Sequence, residues 1–400
     1  MEGVTDPKML EGRSFYKLGE FTYDHRKKVL VIGILACLAM ASLMTMGSNW
    51  AESWGEGDLE SMNAGKMYDD AFTSEEGTQS FTYLVFHPTL DDTSSVWQDA
   101  VTEALSDFAN LDDVSIEYSW DNKTVDERGE FIYEDDEGFW ALNVVTINLE
   151  RTEAKELYAE NWEDVEIDDE EFETWRTGGV AIDVIFDKRI QDDLITAELV
   201  SGPLSLIILL IVFGTIIAAL LPIGIAFLTV LSAMGITIWL SNVTDVTQYA
   251  VNIISLIGIG VSIDYSLFMV NRFREEMNRG HDIRTSTAMT VATAGKAVFF
   301  SGVTVGIGLM GMLFFENTGI PSLGIGGTLA VSVAMIYSLV VLPSILAMLG
   351  SRVSDGWKLP FSFKTENDAE DGIWSRIAKT VMERPWTVLI PTLVILLGAG

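Results

Sequence analysis

The stretch "GIGVSIDYSLFMVNRFREE", residues 258–276, sets one carboxylate, Asp264, inside a run of apolar and small residues long enough to cross a bilayer. A window this apolar, closed by Arg and Glu pairs, reads as a membrane-spanning helix that ends at an interface, because about 20 residues cover a hydrocarbon core of roughly 30 Å. A charged group at the bilayer centre costs about 2.5–3.5 kcal/mol on insertion scales, so Asp264 is expected to face other helices and not lipid. A carboxyl removed from water in this way is able to take up and release a proton. The alternative is a structural carboxyl, hydrogen-bonded within the bundle, that never titrates.

Working outward, five further apolar runs lie near residues 29–47, 204–221, 223–240, 297–315 and 323–349, flanking the one at 250–271, and a seventh begins near 387. The first is too long and too far from the terminus for a cleaved leader, and no small-residue cleavage site closes it. Lys and Arg cluster before the first run, after the fourth and across residues 351–385, with 6, 5 and 6 of them. All three clusters share one side if the chain starts in the cytoplasm. The expected divisions are a cytoplasmic segment 1–28, a first span 29–47, an extracytoplasmic domain 48–202, five spans within 203–350, a cytoplasmic linker 351–386 and the start of a seventh span at 387–400.

The chain carries 58 acidic and 25 basic residues, yet 48% of it is hydrophobic, with mean hydropathy +0.28. The two tendencies are separated along the chain, since residues 51–200 hold 41 Asp and Glu against 8 Lys and Arg. That segment still has the pattern of a folded domain. Strands are expected at 80–88, 113–120, 139–149 and 179–186, helices at 91–111 and 153–176, and a turn at "YEDDEGF" before Gly138. The order βαββαβ is that of a ferredoxin-like α+β unit. The acidic run "EDVEIDDEEFE", 163–173, lacks the spacing and turn glycine of a calcium loop and reads as a solvated face. The sequons at Asn122 and Asn242 carry no weight.

Enzyme chemistry is not visible. "ATAGKAV" lacks the first glycine of a phosphate loop, and His25, His87 and His281 stand on separate segments. A lone Cys37 forms neither a disulfide framework nor a cysteine metal site. No cofactor, metal, ATP or nucleic acid is expected.

Around Asp264, Tyr265 brings a hydroxyl about 100° away on the helix. Gly258 and Gly260 lie one to two turns before the pair. The fifth run, "SGVTVG", is expected to face them, with Gly302 and Gly306 as a small-xxx-small contact and Ser301 and Thr304 as hydroxyls. Lys296 reads as snorkelling to the interface and not as a partner of Asp264.

The order of elements, with "DLITAELVSGPLSLIILLIVFGTIIAALLPI", "GIGVSIDYSLFMVNRFREEMNRG" and "TAGKAVFFSGVTVGIGLMGML", resembles the MMPL-type transporters of the RND (resistance-nodulation-division) superfamily. The five spans also resemble the sterol-sensing domain of Patched-like proteins. The resemblance implies a polytopic α-helical half-repeat: one span, an extracytoplasmic ferredoxin-like domain, then five spans. It implies that Asp264 and Tyr265 belong to a proton relay, and that lipids or other hydrophobic compounds are exported on an ion gradient, with sodium as the alternative to protons. A lipid- or sterol-sensing receptor, or a protein-export accessory, is the competing role. The short outer domain argues against the multidrug-pump branch.

Such proteins have two halves. Here "FYKLGEFTYDHRKKVLVI" at 15–32 aligns without gaps with "WSRIAKTVMERPWTVLIP" at 374–391, at a constant offset of 359. The chain therefore reads as the first half of a longer protein that stops inside its seventh span, its other half, or another copy, being the expected partner.

Overall fold

The computed structural model describes residues 13–51, 67, 78–121, 131–161, 165–315, 319–356 and 373–399. The Asn122 sequon, residues 1–12, the first residues of the acidic run 163–173 and residues 357–372 of the expected linker lie outside them. The protein is a polytopic membrane protein, with one small antiparallel sheet among the described residues. Among the described residues six helices are long and apolar enough to span: Arg26–Met46, Gly179–Phe213, Ile216–Ser241, Tyr249–Asn278, Ile283–Phe314 and Ile320–Leu349.

The fourth of these, Tyr249–Asn278, is the centre of the bundle. It buries Ile254, Ser255, Gly258, Ser262, Tyr265, Ser266, Met269, Val270, Phe273 and Glu276. These recur every three or four residues, one stripe of a helix. The stripe packs on the third and sixth spans, and the fifth packs on the sixth. Two crossings are so close that they need glycine. A Cβ on Gly326 would lie 2.5 Å from the Ala250 carbonyl oxygen, and one on Gly235 would overlap the Met40 carbonyl oxygen of the first span. The fifth and sixth spans each contain a π turn, Val291–Gly295 and Tyr337–Val341. The two π turns meet at Gly295 and Leu339.

The second span differs from its neighbours. It is a single helix of 35 residues, Gly179–Phe213, with Pro203 inside it, and beyond its first two turns only Leu209 and Phe213 are buried. It ends at Gly214, a left-handed cap with φ 66°. The divide between the second and third spans is thus at Gly214–Thr215, ahead of the expected one near Pro222, and the expected domain boundary at 202/203 falls within this unbroken helix. Pro222 sits inside the third span.

The sheet contains β1 (Gln79–His87), β2 (Val114–Glu117), β3 (Ile132–Glu134), β4 (Phe139–Ile147) and β5 (Glu173–Thr177), in the order β2-β4-β1-β5 with β3 also paired to β4. Every pairing is antiparallel. Without the short β3 this is the ferredoxin-like arrangement. The helices Ser95–Ala104 and Arg151–Asn161 cover one face, where Phe81, Tyr83, Val85, Trp97, Ala141, Val145 and Tyr158 form the core. β3 and β4 turn at Asp135–Gly138, whose Asp135 carboxylate accepts from the Glu137 and Gly138 amides.

One expectation fails here. "GVAIDVIF", 179–186, is the start of the second-span helix and not the last strand, which is Glu173–Thr177. Its β-branched residues suggest a strand, but Val180, Ala181 and Val184 are buried together, which only a helix achieves at that spacing. Gly178, with φ 110° and packed on the Phe81 backbone, makes the corner between strand and helix. The same correction shortens the expected helix 153–176 to Arg151–Asn161. Arg151 and Lys155 of that helix hold Asp183 and Asp187 of the spanning helix, tying domain to stalk.

At the bundle end away from the sheet, the N-terminal helix Arg13–Asp24 lies against the fifth span, with Phe15 edge-on to Phe299 at 5.5 Å and Gly19 on the Ala288 backbone. Arg284 holds it, bonding Glu20 at 2.6 Å and Asp24 at 3.0 and 3.1 Å. The Arg284 hydrogen bond keeps the Asp24 carboxyl below the usual carboxylate range. A carboxyl with a depressed folded pKa contributes above its unfolded pKa and loses that contribution as pH falls through the folded one. Amide exchange in residues 13–24 is therefore expected to accelerate in acid, below the ordinary Asp range. Arg284→Ala should show the faster exchange already at neutral pH; unchanged exchange in the variant would remove Arg284 as the latch.

Candidate functional site

The residues singled out in the sequence divide between two faces. On the fourth span Leu256, Gly260, Asp264, Phe268, Asn271 and Glu275 form an exposed stripe, each three or four residues after the last. Asp264 thus points out of the six-span bundle, and among the described residues it makes no hydrogen bond or ion pair. The expectation that it faces other helices is not met by the helices present. The buried stripe, fixed by the third and sixth spans, leaves position 264 on the opposite side.

Tyr265 turns inward. It is 6% exposed, and its hydroxyl is buried without a hydrogen-bond partner among the described residues. Close to it is the hydroxyl of Ser301, itself on the exposed face of the fifth span. The phenol hydroxyl thus has an outward carboxylate and an outward serine in its neighbourhood. It can donate to one while accepting from the other.

The expected glycine contact between the fourth and fifth spans is not formed. A Cβ on Gly258 would lie 3.5 Å from Val230 and Ala330 of the third and sixth spans, and Gly302 packs on Met335 of the sixth. Gly260 is open, and nothing lies within 4 Å of a Cβ on Gly306. Thr304 is exposed and bonds the Phe300 carbonyl of its own helix. The cause is the central position of the fourth span, whose packed face is already filled. Lys296 makes no ion pair with Asp264.

Sequence reasoning passed over several groups beside the pair. Ser262 and Ser266, fully buried, follow Gly258 at four-residue steps, and their hydroxyls are also unpartnered among the described residues. That small-polar period is visible in the sequence. Ser232 and Tyr337 share a 2.7 Å hydrogen bond between the third span and a π turn, which no local pattern signals. Twelve residues beyond Asp264, the buried Glu276 is held by Arg272, Arg279 and His281. Arg272 also donates to Thr293 of the fifth span at 3.0 Å. An open groove lined by Phe268, Asn271, Arg272, Glu275, Thr293 and Ala294 follows the exposed stripe from Phe268, one turn beyond Asp264, to Glu275.

With this geometry in view, comparison with known proteins is informative. The model of the MMPL family matches residues 53–388. The trehalose monomycolate exporter MmpL3 of Mycolicibacterium smegmatis is 35% identical over 231 residues, 52% of this chain and 23% of that protein. MmpL3 of Mycobacterium tuberculosis is 33% identical over 232 residues, 52% of this chain and 25% of its own length. The mycolic acid-containing lipids exporter MmpL11 of Mycolicibacterium smegmatis is 35% identical over 207 residues, 52% of this chain and 22% of its length. The chain thus matches about a quarter of each of these relatives.

Proposed function

The chain belongs to the MMPL family, and on that basis we propose that it serves as one half of a secondary exporter of lipids, driven by protons through Asp264 and Tyr265. The observation that carries this is the position of Asp264: a carboxylate in mid-span, exposed, and among the described residues unpaired and with no helix against its face. An ionised group left toward lipid is costly, so this face requires a cover, and a second half or another copy supplies it. The covering surface completes the pathway, while Tyr265 and Ser301 offer hydroxyls that relay a proton to and from the carboxyl. The lipid cargo rests on the relatives, which are exporters of mycolate lipids. The basic clusters support a cytoplasmic N-terminus, with the sheet domain on the outer side, where the cargo is passed on.

The test is lipid efflux from proteoliposomes containing the complete reading frame, under an imposed proton gradient, an imposed sodium gradient or neither. Efflux that follows the proton gradient and stops with a protonophore is expected. Efflux that follows sodium alone would replace the coupling ion, and lipid binding with no gradient-dependent efflux would replace the exporter by a sensor.

A further inference from the structure

Among the described residues the sheet domain meets the spans chiefly through the second span. Beyond its first two turns that helix buries only Leu209 and Phe213, so little packing fixes how it stands against the bundle. One polar contact reaches it from the fourth span. The hydroxyl of Tyr249, the first residue of the helix Tyr249–Asn278, lies 3.5 Å from Oδ1 of Asp187. Lys155 of the sheet-domain helix donates to Oδ2 of the same carboxylate at 2.6 Å. One turn away along the second span, Arg151 donates to Asp183 at 2.8 Å. Asp187 is thus shared between the sheet domain and the span that carries Asp264.

A tyrosine at the end of a span is commonly an interfacial anchor, its hydroxyl in water or among headgroups. This one is half-buried and directed at a carboxylate whose side chain is 15% exposed. The backbone on either side of it is held by the sixth span: the Thr247 amide donates to the Ser322 hydroxyl at 3.0 Å, and the Ala250 carbonyl stands against Gly326. From Tyr249 to Asp264 the helix runs unbroken, about 22 Å at 1.5 Å per residue. A displacement of the fourth span therefore arrives at Tyr249 undiminished.

The separation decides what such a displacement does. A hydroxyl bonds a carboxylate at about 2.5–2.7 Å, so 3.5 Å is a contact on the threshold. An approach of about 1 Å completes it, and a retreat of that size abolishes it. Packed helices shift by about 1–2 Å between states, which is enough for either. Asp187 does not simply turn to follow, because Lys155 holds its other oxygen. We propose that Tyr249 is the positioning residue through which a change at Asp264 reaches the sheet domain, its hydroxyl engaging Asp187 in one arrangement of the spans and releasing it in the other. The inference rests on the exporter reading above and adds the contact that transmits the proton's effect outward.

A double-mutant cycle on the complete protein in nanodiscs tests this. Spin labels on Val96→Cys of the sheet domain and Val243→Cys of the outer link, both exposed, report the distance between domain and bundle, and the buried Cys37 escapes the label. Asp264→Asn, which fixes the uncharged state, is expected to shift that distance. Tyr249→Phe, which removes one oxygen, is expected to cancel most of the shift while the melting temperature and the distance in the Asp264 protein stay as they were. Gradient-driven efflux of a fluorescent dodecyl glycoside from proteoliposomes should fall about tenfold in Tyr249→Phe with KM unchanged, the size of one coupling contact. An equal shift with and without the hydroxyl overturns the proposal, as does no shift from Asp264→Asn, or export by Tyr249→Phe at the native rate. The two ideas fail separately. A shift that needs Tyr249 in a protein without efflux retires the exporter and keeps the junction; gradient-driven efflux with a shift indifferent to Tyr249 does the reverse.

Discussion

Asp264→Asn is expected to abolish gradient-driven export while leaving insertion, folding and lipid binding as they were. The substitution keeps the shape of the side chain and removes its charge, and position 264 is exposed and makes no hydrogen bond or ion pair among the described residues, so little packing depends on it. One proton crossing 100 mV supplies about 2.3 kcal/mol, equivalent to about a 50-fold accumulation, and that factor is what the variant should lose. Tyr265→Phe tests the neighbour. Its hydroxyl has no partner to lose among the described residues, so stability should change little and any fall in rate reports on proton movement. Efflux from proteoliposomes measures both, with thermal unfolding as the control. Full export by Asp264→Asn would make the carboxyl structural.

The second large effect concerns backbone contact. Gly235→Ala places a methyl group into the Met40 carbonyl oxygen, and Gly326→Ala places one 2.5 Å from that of Ala250. Ala is favoured over Gly in a helix by about 1 kcal/mol. A backbone oxygen cannot move aside as a side-chain end can, and overpacking costs about 1–3 kcal/mol, so the clash is expected to win. Both variants should melt earlier and give less monodisperse protein. Gly306→Ala, with nothing within 4 Å, should melt at the same temperature or later. Equal behaviour of all three would mean that the first, third, fourth and sixth spans are not packed this closely.

Much of this architecture was legible because each element depends on local pattern. Six apolar runs became six spanning helices, and alternation in "SFTYLVFH" and "FWALNVVTI" became the two central strands. The internal repeat has a structural counterpart. The N-terminal helix Arg13–Asp24 breaks at His25 before the first span, and Ile373–Glu383 breaks at Arg384, the aligned position, before Pro385–Ala399. What failed depends on distant partners. "GVAIDVIF" has strand residues, and only the core beneath it and the corner at Gly178 make it helical. The glycines of the fifth span were visible, but not that the sixth span would meet Gly302 instead of the fourth. Asp264 was found as an anomaly of composition. Its outward direction follows from which side of the fourth span the third and sixth occupy, and no window of sequence contains that.

Pro203 gives the second span a mechanical property. Lacking an amide hydrogen, it cannot bond the Leu199 carbonyl, so the helix is most compliant there. The arm from Pro203 to Gly179 is about 36 Å long at 1.5 Å per residue, and the sheet is riveted to its far end by Arg151 and Lys155. A bend of about 10° at the proline therefore swings that end by about 6 Å. The stalk is a lever, and a movement within the bundle too small to open it arrives at the sheet domain magnified.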